Sequence, residues 1–84
     1  MSEQAIRYGS FTADQVISMQ ISVRNHAIGK GGTAYFIWLT NTGVWRVQAP
    51  GWPEDKPYAE SPRMGDALAI ACDTLGIARP EGAG

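Results

Sequence analysis

Cysteine and histidine are scarce in this chain and acidic charge is missing from one long stretch of it, and each scarcity excludes something. Cys72 is the sole cysteine, so an internal disulfide is impossible, and with His26 as the sole histidine there is no cluster of soft ligands for a structural metal. No metal and no cofactor are expected. No apolar run is long enough for a signal peptide or a membrane span, which points to a cytoplasmic chain with no membrane partner. Charged residues make up 18% of the chain and the net charge is -1. Length sets a further limit: 84 residues form one domain, 1–84, that hides roughly 60–65% of the surface its unfolded chain exposes. Such a domain has a thin stability margin.

The acidic scarcity is local. From Gln15 to Trp52 there is no carboxylate, while Arg24, Lys30 and Arg46 fall in that stretch. Residues 1–50 hold four basic and two acidic residues, a charge of +2, and residues 51–84 hold three basic and six acidic, a charge of -3. The sheet half thus leans toward an anionic partner, at a charge density well below that of most nucleic-acid binders.

Apolar and polar residues alternate from Ile17 to Arg24. A period of two predicts a strand with Ile17, Met19, Ile21 and Val23 on one face. A helix competes, because Thr12-Ala13-Asp14-Gln15 fits a capping box and Val16, Met19 and Val23 fit a helical stripe. That stripe leaves Ile17 and Ile21 unexplained and turns Gln20 inward, so the strand is preferred. Ala5 to Phe11 offers a short edge strand, with Gly9 at a bulge.

Ala34–Thr40 and Val44–Ala49 are rich in aromatic and branched residues, and Asn41-Thr42-Gly43 suits a three-residue hairpin loop. Counting out from Thr40 opposite Val44 pairs Leu39 with Trp45, Ile37 with Val47 and Tyr35 with Ala49 on one face. Trp38 with Arg46 and Phe36 with Gln48 share the other. The first set is the core face. Pro50 to Pro57 holds three prolines and is a loop, with Trp52 and Tyr58 expected over the end of the core. Ser61 is then a natural N-cap for a helix with Met64, Leu68, Ala71, Cys72 and Leu75 on its apolar stripe. Gly76 ends it, Ile77 folds back on Cys72, and Arg79 to Gly84 is expected to be a mobile tail. The fold class is α+β: a three- to four-stranded antiparallel meander covered on one face by a single C-terminal helix.

One helix covers one face, and the second face is the functional clue. Burying a Phe or Trp side chain is worth roughly 1.5–3 kcal/mol or more, so Phe36 and Trp38 left in water mark a surface that something covers. Residues 5–11 crossing that face, or a slipped register, are the plain structural alternatives. With Arg46, Arg24, Gln20, Gln48, Lys30 and His26, the two aromatics make up the expected partner-binding set. No catalytic set accompanies it. Gly29-Lys30-Gly31-Gly32-Thr33 lacks the Walker order of glycines and is not followed by a helix, and a His26–Cys72 dyad would lack an orienting carboxylate. Asp66 and Asp73 read as a wet helix surface. An enzyme is not expected.

Three classes remain. The first is a protein-binding module or inhibitor, since aromatic residues and arginine dominate interface hot spots. The second is a nucleic-acid or nucleotide binder that stacks bases on Phe36 and Trp38 and meets phosphates with Arg24, Arg46, Lys30 and His26. The third is a homodimer through the sheet. The meander followed by Met64-Gly65-Asp66-Ala67-Leu68-Ala69-Ile70-Ala71-Cys72, in a cysteine-poor chain under 90 residues, looks like several small phage-encoded inhibitors, including some anti-CRISPR proteins. That resemblance implies stoichiometric blocking of a bacterial defence complex.

Overall fold

A capping box opens the first element of the structure, a computed structural model that describes residues 9–80. The Thr12 hydroxyl accepts from the Gln15 N–H at 3.2 Å, and the Gln15 side chain accepts from the Thr12 N–H at 2.9 Å. Two of the helix's orphan donors are thereby satisfied. Phe11 just before the cap and Val16 one turn in are both buried in the same apolar cluster, the arrangement of a hydrophobic staple. From this start helix α1 runs Ala13–Gly29. Its buried residues, Val16, Met19, Val23 and Ala27, recur every three or four positions.

The strand expected over Ile17 to Arg24 is therefore corrected to a helix. Its eight residues alternate by coincidence, because the isoleucines that the helical stripe leaves over do not belong to the core. Ile17 and Ile21 are each 52% exposed. Of the expected edge strand, residues 5–8 lie outside the described set, and Gly9 to Phe11 is turn and bend.

The hairpin follows as its residues dictate. Strands β1 (Phe36–Leu39) and β2 (Trp45–Gln48) pair antiparallel with Phe36 opposite Gln48, Ile37 opposite Val47, Trp38 opposite Arg46 and Leu39 opposite Trp45. This is the register counted from the loop. Thr40 donates its N–H to the Val44 carbonyl at 2.9 Å, and Gly43 takes the left-handed backbone, φ 84°, that closes the loop. A third strand, β3 (Ala59–Ser61), adds to β2 with Val47 opposite Ala59 and Arg46 opposite Glu60. The result is a three-stranded antiparallel sheet in the order β1-β2-β3.

Helix α2 (Met64–Leu75) packs on β2 and β3 with one side and on α1 with another. Ser61 ends β3, so the N-cap is Arg63 rather than Ser61. At the far end Gly76 adopts φ 76° and the Ile77 N–H donates to the Cys72 carbonyl at 2.8 Å, the fold-back expected there. Ala67, Leu68, Ala71 and Cys72 are fully shielded, and with Met19, Val23 and Val47 they form the centre of the core. The class is α+β, as expected, with a C-terminal helix on one face of a meander. It has a second helix where the extra strand was expected. Among the described residues no helix is long and apolar enough to cross a membrane.

Candidate functional site

Pleating divides the sheet. Ile37, Trp45, Val47 and Ala59 face the helices and join or flank the core, so their neighbours along each strand must point away. Phe36 and Trp38 of β1, Arg46 and Gln48 of β2, and Glu60 of β3 make up that outer face. Tyr58, just before β3, joins them.

Contacts across the face hold its groups in place. The Trp38 and Tyr58 rings meet edge to face with centroids 6.0 Å apart. The Arg46 guanidinium lies 4.3 Å from the Tyr58 ring centroid, and its Nε donates to Glu60 Oε1 at 3.0 Å. Gln48 Nε2 donates to the Pro57 carbonyl at 3.2 Å. Arg46 is thus fixed by stacking and by a charge-assisted hydrogen bond, with much of its rotamer freedom already lost. Phe36 stays 57% exposed and Trp38 39% exposed. The face is an ordered aromatic strip with one internally neutralised ion pair.

The expected site residues do not all meet there. Phe36, Trp38, Arg46 and Gln48 come together. Gln20, Arg24 and His26 are instead carried by α1, and Lys30 caps that helix, because the segment that bears them is helical. Gln20 lies against the Tyr35 hydroxyl, whose residue packs toward the core; burial raises the phenol above its ordinary range against the lowering effect of that contact. His26 Nδ1 is shielded and has no hydrogen-bond partner, which suits packing better than anion binding. The Lys30 stem lies beside Gly51.

Tyr58 and Glu60 were missed by sequence reasoning. Tyr58 was expected over the end of the core, where Trp52 does pack, but it takes the outer face. The signal in the sequence is a two-step alternation, Tyr58 and Glu60 outward and Ala59 and Ser61 inward, too short to distinguish from a loop.

Other candidates resolve into structural roles. Cys72 is fully buried, and desolvation, with help from the Asp73 charge and against the pull of Arg79, pushes its thiol up to about 11. It stays protonated at neutral pH and is a poor nucleophile. Asp73 accepts two hydrogen bonds from Arg79, of 2.6 and 3.1 Å, and residues 81–84 of the expected mobile tail lie outside the described set. Asp66 accepts the Ser10 N–H at 3.4 Å. Asp66 and Arg79 line a shallow depression of about 300 Å³ with Phe11 and Ile70, and both charges already have partners. Among the described residues no group of three or more His, Cys, Asp or Glu side chains is placed to hold a metal ion.

Comparison of the chain with protein-family models, with curated proteins and with solved structures finds no match. The functional reading rests on the geometry.

Proposed function

We propose that this chain is a non-enzymatic protein-binding module whose contact surface is the outer face of the sheet. The observation that carries the reading is the exposure of Phe36 and Trp38 beside a guanidinium already ordered by Tyr58 and Glu60. Rigid aromatics and a pre-positioned arginine gain binding energy with little further loss of side-chain entropy. The likeness in layout to small phage-encoded inhibitors supports the narrower form of this reading, in which the module blocks a bacterial defence complex.

Nucleic-acid binding draws less support from the structure. Arg24, Lys30 and His26 belong to α1 and its cap, and Arg46, the basic group among the aromatics, already faces Glu60. Among the described residues this face holds no free cation, and such a face releases few counterions from a phosphate backbone.

The test is quantitative capture from bacterial extract under phage challenge, comparing wild type, Phe36→Ser/Trp38→Ser and a Lys56→Ala loop control. A stoichiometric protein held by wild type and control, and at least tenfold weaker on the double variant, supports the reading. Equal capture by all three removes it. A titration with single-stranded DNA that quenches tryptophan fluorescence and weakens steeply with salt would favour the nucleic-acid alternative.

A further inference from the structure

Helix α1 has a second apolar stripe that faces away from the core. Asp14, Ile17, Ile21, Arg24 and Ile28 follow the 3-4-3-4 spacing of a heptad seam and all five are exposed, the isoleucines by 52%, 52% and 48% in chain order. The buried residues of the helix, Val16, Met19, Val23 and Ala27, lie on the other side. Ser18 and Asn25, also exposed, flank the seam with small polar side chains that permit close approach. Among the described residues neither Asp14 nor Arg24 has an ion-pair or hydrogen-bond partner.

We propose that this seam is the contact between two copies of the chain, with their α1 helices antiparallel. In an antiparallel helix pair each a position meets a d position of the other helix. With Asp14 and Ile21 as a positions and Ile17 and Arg24 as d positions, one register sets Asp14 opposite Arg24 of the second copy and Ile17 opposite Ile21. By two-fold symmetry each contact occurs twice. Two ion pairs then bracket a centre made only of isoleucine. Shifting by one heptad sets Ile17 against Ile28 but forces Ile21 against Arg24, an apolar side chain against a charge. Charge complementarity therefore selects both the partner and the register. The apolar area of three half-exposed isoleucines is well short of the roughly 800 Å² per partner typical of stable complexes. The dimer is accordingly weak and depends on concentration. This contact is separate from the aromatic sheet face and would present two such faces per assembly.

Sedimentation equilibrium of the full chain tests it. Wild type should rise from the 9.1 kDa of the monomer toward twice that mass, over a range of about 10–500 µM. Asp14→Arg and Arg24→Asp should each weaken association at least tenfold, because like charges then face each other at both ends. The double variant D14R/R24D should recover it. So should an equimolar mixture of the two single variants, in which every facing pair is again opposite in sign. Circular dichroism of each variant confirms that the helices are retained, and Trp38→Ala should leave the mass unchanged. A wild type monomeric throughout, charge reversals without effect, or loss of association in Trp38→Ala would each overturn the proposal.

Discussion

The two helices divide their labour unequally. Six of the twelve residues of α2 are buried but only four of the seventeen of α1, because α2 packs against both the sheet and α1 while α1 has packing on one side. An apolar residue on α2 is therefore mostly a stability element. On α1 the same residue type can serve the core or remain on the surface, and the two roles alternate along one helix. Leu68→Ala should cost about 2–5 kcal/mol, since its fully shielded side chain leaves a cavity at the helix–sheet junction. Ile21→Ala, at a concentration where the chain is monomeric, should change stability by no more than about 0.5 kcal/mol. Urea unfolding followed by tryptophan fluorescence measures both. Similar costs at the two sites would erase the distinction between the helices.

Protonation sharpens the comparison further. The Cys72 thiol is raised to about 11 in the folded chain, so folding favours its neutral form. Its contribution is complete below the unfolded thiol's pKa of about 8.5 and is lost as pH climbs through the folded value. Unfolding free energy should fall by about 3 kcal/mol across that window. Tyr35, also raised by burial, adds a loss of the same sign in the alkaline range. Cys72→Ala should keep the tyrosine part and flatten the rest. An unchanged slope in that variant would show that the thiol is not the group sensed by the core of α2.

How much of this was legible in the sequence depended on how local each signal was. The hairpin register could be counted because Asn41-Thr42-Gly43 fixes it within a few residues, and with it came the outward placement of Phe36, Trp38, Arg46 and Gln48. The end of α2 at Gly76 was legible for the same reason. Ile17 to Arg24 was misread because counting buried residues assumed that every isoleucine belongs inside, whereas Ile17 and Ile21 lie on the surface. The capping box of Thr12 and Gln15 and the stripe of Val16, Met19 and Val23 named the helix correctly. β3 was invisible because Ala59-Glu60-Ser61 has little strand propensity of its own and is held by pairing with β2. Tyr58 and Glu60 were lost with it, and so both of the groups that fix Arg46.

The smallest contrast lies in how the helices begin. α1 has a reciprocal cap between Thr12 and Gln15, whereas Arg63, the N-cap of α2, makes no side-chain cap hydrogen bond and places a cation at the positive end of the helix dipole. Thr12→Ala should cost about 1 kcal/mol by leaving an N–H without its acceptor. Arg63→Asp should instead stabilise by about 0.5–1 kcal/mol, because a carboxylate there can accept from the free N–H groups of the first turn and suits the dipole. Thermal unfolding at neutral pH, repeated in high salt, separates the two contributions. The dipole part of the gain should shrink with salt and the hydrogen-bond part should persist. If Arg63→Asp destabilised the chain, the orphan donors of α2 would have to be satisfied by solvent at least as well as those of α1 are by Thr12, and packing would be the only difference left between the helices.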